Sequence, residues 1–230
     1  MDFADFDNRH YPTVSVRQGY RKWVSTYDDS VYDEMDLDLL AKIKKIYWTK
    51  MAKAVDLACG TGRTGAWLKR QGIRELDGID ITPEMMDNAK EKKIYRQLVH
   101  GDIRNTKFAD NTYDLAVCSL ANEHIPSLDP LYKEADRIVV KNGYFVIVGY
   151  HPFFLLNGIP THFNDEEGKS ISIHSYIHLM SDHVQAAFKN SWQLQEMYER
   201  IVDQEWLKKK PQWEIYCNKP ISFIFVWQKK

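Results

Sequence analysis

The chain has 230 residues, 44% of them hydrophobic, which is enough for one sizeable core and favours one domain over two. Its 31 Lys and Arg nearly balance its 32 Asp and Glu, and the net charge of -1 gives no field-level case for a nucleic-acid or membrane partner. No stretch approaches ~18 consecutive apolar residues, and no apolar run follows a basic start. The three cysteines, Cys59, Cys118 and Cys217, are widely spaced, so the expectation is a cytoplasmic protein with neither a disulfide framework nor a metal site.

In chain order, Leu37, Leu39, Leu40, Ile43, Ile46 and Tyr47 recur at helical spacing, which predicts a helix from about Tyr32 to Tyr47 within an N-terminal helical cap over residues 1–50. An alternation of strands and helices follows. AVDLA (54–58) reads as a buried strand, and TGAWLKRQG (64–72) as a helix ended by Gly72. ELDGIDI (75–81) precedes a helix over 83–93, with Thr82 as N-cap and Pro83 in its first position. IYRQLVHGDI (94–103), YDLAVCSLA (113–121) and GYFVIVGY (143–150) read as further strands, with a helix over 128–140. Such a rhythm predicts an α/β fold with a parallel sheet covered on both faces.

The rhythm breaks after Tyr150. Residues 151–180 read as an insertion, a lid or substrate wall, with ISIHSYIH (171–178) as a short strand. A helix capped by Ser181 follows, and the chain ends in two strands, 192–203 and 220–230.

Asp56-Leu57-Ala58-Cys59-Gly60-Thr61-Gly62-Arg63-Thr64-Gly65 closes a strand and opens a helix. Small residues there let backbone amides approach a ligand, and the helix N-terminus favours negative charge. Gly60-x-Gly62-x-x-Gly65 with Asp80 further on also fits a dinucleotide site. Three neighbours favour S-adenosylmethionine instead. Asp56 is placed to act on the ammonium group of a methionine tail, Gly101-Asp102-Ile103 is placed to meet an adenine, and the terminal strand pair suits an antiparallel closure.

VDLACGTGRTG, LDGIDITPEMM, VHGDI, YDLAVCSLANEHI and KNGYFVIVGYHP, in this order, resemble the successive motifs of class I S-adenosylmethionine-dependent methyltransferases, over about residues 52–150. The nearest likeness is to the small-molecule, ubiquinone- and menaquinone-biosynthesis-like (Methyltransferase type 11) group. The resemblance implies a Rossmann-like seven-stranded sheet of order 3-2-1-4-5-7-6 with strand 7 antiparallel, S-adenosylmethionine as cofactor and S-adenosylhomocysteine as product. It also implies that Ala58, Cys59, Gly60 and Gly62 approach the methionine and ribose, that Asp80 takes the ribose hydroxyls, and that Ile81 and Met85 face the adenine. Gly101, Asp102 and Ile103 would sit at the adenine edge, and Ser119, Leu120 and His124 near the sulfonium. Tyr20, Trp23 and Tyr27 resemble an aromatic entry closing over the cofactor, although their spacing equally suits a helix face packing on the core.

The acceptor is argued from what is missing. SLANEH (119–124) holds no Asn/Asp-Pro-Pro-Tyr run of the base-methylating enzymes, and the double-Glu pattern of protein arginine methyltransferases is absent. A small organic acceptor is therefore expected, with no nucleic-acid partner and a monomer or homodimer as the assembly. The alternatives are a protein or RNA methyltransferase, a cofactor-binding subunit without turnover, and an NAD-dependent oxidoreductase. His124 and His151 are the candidate general bases. Phe153, Phe154 and His162 are candidates for the acceptor wall. His174, His178 and His183 invite a metal reading, but in a strand the first two stand roughly 13 Å apart, too far to share an ion. Lys208-Lys209-Lys210 reads as a solvated loop.

Overall fold

The computed structural model describes residues 1–31 and 34–230. After a 3-10 turn at Phe3–Phe6 come β1 (Thr13–Val14), α1 (Val16–Trp23), α2 (Tyr27–Ser30) and α3 (Leu37–Leu40). The central alternation is β2 (Lys53–Leu57), α4 (Arg63–Arg70), β3 (Glu75–Asp80), α5 (Pro83–Glu91), β4 (Gln97–His100), β5 (Tyr113–Ser119), α6 (Asp129–Ile138) and β6 (Val139–Tyr150). Then follow α7 (Pro152–Leu156), β7 (His162–Asn164), β8 (Ser170–Ile173), α8 (Met180–Lys189), β9 (Trp192–Ile201), α9 (Gln204–Lys209) and β10 (Pro220–Lys229).

The seven-stranded sheet runs β4-β3-β2-β5-β6-β10-β9. Its first five strands are parallel, and β10 lies antiparallel to both β6 and β9. In order of appearance in this sheet that is the expected 3-2-1-4-5-7-6, with the last strand reversed. The inner strands are buried on both sides, as a parallel sheet covered by helices requires. One face packs Val55, Leu57, Ala116 and Phe145 against α6 and α8. The other packs Ala54, Leu115, Val117 and Val146 against α3 and α4.

A second, three-stranded sheet, β1-β8-β7, joins chain segments far apart in sequence, with Thr13 opposite Ser172 and Val14 opposite Ile173 in parallel register. The segment before the core and the insertion after β6 are therefore hydrogen-bonded to each other. No helix among the described residues is long and apolar enough to cross a membrane.

Several local expectations are corrected. The helix expected over Tyr32–Tyr47 is, within the described residues, one turn at Leu37–Leu40; Tyr32 lies outside them. Ile43 and Ile46 are buried without a helix to carry them, because an apolar spacing records burial whatever the backbone does between the buried positions. Ser181 lies inside α8 rather than at its cap, and the Leu179 N–H is taken by Asp182 Oδ2 at 2.8 Å. The strand expected over 171–178 ends at Ile173, and Lys208 and Lys209 belong to the helix α9. Pro83 does open α5 behind Thr82, and Gly72, at φ +99°, does follow the end of α4.

Candidate active site

The chain order of the sheet reverses at β2, between β3 and β5, and a crevice opens at the carboxyl ends of these strands. Within it is a cavity of about 370 Å³, in the size range of organic-ligand pockets. Two non-glycine residues that end strands here, Ala58 after β2 (φ +60°) and Leu120 after β5 (φ +53°), occupy the left-handed region and line the cavity. Such strain is held by surrounding structure and collects where a chain shapes a ligand site. Gly60, at φ +52°, also lines it; a Cβ at this position would stand 3.6 Å from Met85 Cε, filling the space beside the Met85 wall.

At the end of β3, Asp80 is buried. Its Oδ2 accepts the Gly60 N–H and its Oδ1 the Thr82 N–H, both at 2.8 Å. Burial pushes its carboxyl pKa above the usual range, partly offset by these two donors. Ile81, Thr82 and Met85 continue the wall, and Gly101, Asp102 and Ile103 close it from the end of β4. Asp102 is gripped by Arg104, with Nη2 to Oδ2 at 2.6 Å and Nε to Oδ1 at 3.0 Å, which holds its carboxyl below the usual range.

Ser119, Leu120 and His124 line the side formed by β5, and Tyr20 and Tyr27 the side formed by the N-terminal helices. His124 Nδ1 lies 2.9 Å from the His174 carbonyl oxygen, and its Nε2 lies 2.9 Å from the Tyr20 hydroxyl. A carbonyl only accepts, so Nδ1 carries the proton and Nε2 of the neutral ring accepts from Tyr20. Glu123, 1% exposed, sits behind, with Oε1 4.0 Å from His124 Nε2.

A small annex adjoins this cavity, lined by Tyr27, Asp36, Arg63 and Ser119 together with the Cys59–Thr61 turn. Arg63 Nη2 meets Asp36 Oδ2 at 2.6 Å, and the Ser119 hydroxyl donates to the same oxygen at 2.8 Å. Asp36, Arg63, Arg104 and Glu123 were not singled out from the sequence. Asp36 is separated from the glycine turn by the whole of β2, and no short motif contains it.

Other expected site residues are elsewhere. Asp56 is 1% exposed and is not a cavity-lining residue. Its carboxylate accepts the Tyr95 hydroxyl at 2.7 Å, and burial pushes its pKa up to about 7. The acid that reaches the annex is Asp36. Gly62 begins α4 at φ +84°, where a Cβ would meet Tyr95 and Ala89 rather than a ligand. Cys59 reaches only the annex, and burial raises its thiol pKa well above the usual range. Trp23 lies one layer out, stacked on Tyr20 at 5.9 Å and on Phe163 at 5.5 Å between ring centroids.

His151 caps α7. Its Nδ1 accepts the Phe153 N–H at 3.1 Å and its Nε2 pairs with Glu199 at 2.9 Å, while burial lowers its pKa. It lines neither large cavity. His174, His178 and His183 are bound to Asp2, the Ile125 carbonyl and the Tyr132 hydroxyl respectively.

A second cavity, about 510 Å³, lies beyond Trp23. Phe154 and His162 line it, with Tyr150, Thr161, Phe163 and Trp213; Phe153 does not. His162 Nδ1 is hydrogen-bonded to the Pro160 carbonyl at 2.9 Å, and Phe154 stacks on Trp213 at 5.4 Å. Lys210 lies over the Trp206 and Trp213 rings.

Residues 55–147 match the family described as Methyltransferase domain. An uncharacterized methyltransferase of Emericella nidulans is 24% identical over 89% of this chain and 87% of its own length. A demethylmenaquinone methyltransferase of Staphylococcus haemolyticus is 33% identical, but over 41% of this chain and 42% of its own length. Among solved structures, an S-adenosylmethionine dependent methyltransferase from Mesorhizobium loti superposes with a TM-score of 0.69 at 16% identity, covering 87% of this chain and 99% of that one. The [4+2]-cyclase SpnF gives 0.65 at 13% identity, over 95% and 98%. The structural likenesses concern the fold, and the domain match covers the strands and turns that build the crevice. The matched region, residues 55–147, is thus a methyltransferase domain set in a sheet of class I strand order, and its cofactor is S-adenosylmethionine.

Proposed function

We propose that the protein methylates a small organic acceptor whose body lies in the second cavity and whose reacting atom reaches past the Tyr20–Trp23 stack to the cofactor in the first. When bound, the cofactor supplies a methyl group on a sulfonium, open to in-line attack. The Asp80 carboxylate, fixed by two backbone donors, accepts from the ribose hydroxyls. Met85 and Ile103 lie against the adenine, and Asp102 meets its edge. The Asp36 and Arg63 pair in the annex offers one partner of each sign to the zwitterionic methionine end.

One observation carries the small-acceptor reading. The second cavity has a mixed wall, in which the rings of Trp23, Tyr150, Phe154, Phe163 and Trp213 stand beside Thr161, His162, Asn164 and Lys210, with no Asp or Glu among its described lining residues and a common partition with the first in the Tyr20–Trp23 stack. Such a wall suits a compact, ring-bearing acceptor with polar substituents more than an extended polymer. Methyl-labelled cofactor incubated with a metabolite extract and with a protein-plus-RNA fraction tests this reading. Label in extracted small molecules is expected, and label confined to macromolecules would overturn it.

A further inference from the structure

Glu123 is anomalous. It lies in the turn after β5, is 1% exposed, and neither carboxylate oxygen has a hydrogen-bond partner. A buried carboxyl with no donor from another residue is costly, and burial pushes its pKa above the usual range, with His124 and then its own backbone N–H pulling the other way. His124 Nε2 stands 4.0 Å from Glu123 Oε1, and His124 lies in the cavity wall beside the expected methyl position. That same nitrogen accepts from Tyr20, which also lines the cavity and stacks on the partition to the second one.

Among the described residues, His124 is the one cationic partner paired with Glu123. Tyr20 from α1 and Cys118 from β5 both feel the Glu123 charge, and both are neutral when protonated. Tyr27 and Asp80 stand farther along the same wall. The cations that reach the cavity are Arg17, which is exposed, and Arg104, which is committed to Asp102. His174 presents its carbonyl to His124 and its ring to Asp2.

We propose that Tyr20, His124 and Glu123 form a proton-accepting relay for acceptors that carry an O–H, in which Glu123 holds the charge of the His124 imidazolium formed during transfer. This deepens the small-acceptor reading and rests on it. As the acceptor oxygen bonds the methyl carbon, its O–H bond breaks and the proton goes to Tyr20 Oη. The original Tyr20 proton goes to His124 Nε2, and the electron pair of the breaking carbon–sulfur bond stays on sulfur. Tyr20 ends neutral, and the new charge lies between Nε2 and Glu123. Glu123 is a positioning residue here, since it touches neither cofactor nor acceptor.

The test reads the proton rather than turnover. In protein with isotope-labelled histidine, the His124 ring resonance, assigned by its loss in His124→Asn, is titrated in wild type and in Glu123→Gln. The proposal expects the His124 midpoint to fall by about one pH unit or more in Glu123→Gln, a tenfold loss of proton affinity. An unchanged or higher midpoint overturns it. Binding of S-adenosylhomocysteine, measured on the same samples, separates this outcome from failure of the cofactor site. Should the variant not fold, wild type labelled at the Glu carboxyl decides. Shared midpoints for Glu123 and His124 support the relay, and independent single steps overturn it.

Discussion

The Asp80 carboxylate accepts the Gly60 backbone N–H at 2.8 Å, tying the end of β3 to the turn that follows β2. One side chain therefore fixes the floor of the crevice and faces the space a ribose would fill. Asp80→Ala removes both that tie and the acceptor. Calorimetric titration with S-adenosylhomocysteine is expected to show affinity reduced at least tenfold, about 1.4 kcal/mol. Asp80→Asn is expected to fall between the two, since it retains one acceptor oxygen.

Asp56 makes stability depend on pH. Burial raises its pKa to about 7, above the unfolded carboxylate value, so the folded state binds the proton more tightly. Its contribution is fully present below about pH 4 and is lost as pH rises to 7. Asp56→Asn abolishes this titration. Denaturant unfolding at pH 5 and pH 8 should find wild type losing about 2 kcal/mol or more relative to the variant over that interval. Parallel curves for the two proteins would contradict the assignment.

His183 has the opposite sign. It is fully buried against Phe223 and Phe225, and its pKa is pushed down to about 3 by burial. Because the folded value lies below the unfolded one, stability is lost as pH falls from about 6.5 toward 3. His183→Phe leaves the Tyr132 hydroxyl without its ring partner, costing about 1 kcal/mol at pH 8. The variant is expected to overtake wild type at about pH 6, visible as crossing curves of melting temperature against pH.

Trp23 is stacked between Tyr20 and Phe163, and its indole N–H donates to Ser30 Oγ at 2.8 Å. Trp23→Ala should cost about 3 kcal/mol of stability and widen the opening past the aromatic stack between the two cavities. Affinity for S-adenosylhomocysteine should change less than about threefold, since Trp23 does not line the first cavity. Tyr20→Ala, whose ring does line it, should lose more.

The core of the fold was legible because its signals are local. A strand, a glycine turn and a helix with Pro83 at its start announce themselves within a few residues each. The wall of the first cavity was legible for the same reason, since Ala58, Gly60, Asp80, Asp102 and His124 each follow or end a recognisable strand. What failed was reach. Asp56 reads as available to a ligand until Tyr95, from the far side of α5, is seen to occupy its carboxylate. Gly65 reads as part of a phosphate fingerprint, yet a Cβ there would stand 2.1 Å from the Tyr95 hydroxyl, so it serves this same contact. His151 follows a strand just as His124 follows another, and only the β9 residue Glu199 shows that its imidazole is engaged at a helix cap. Partners brought in from distant elements leave no spacing to count.

The parallel pairing of β1 with β8 has a consequence for redesign. Thr13–Val14 and Ser172–Ile173 are stitched together, and α1, carrying Tyr20 and Trp23, begins immediately afterwards. A graft of the post-β6 insertion from a relative would arrive without its matching edge and tilt the aromatic partition with it. The two segments therefore form one structural unit drawn from both sides of the central alternation, and chimeras that exchange both pieces should retain cofactor binding where single exchanges lose it.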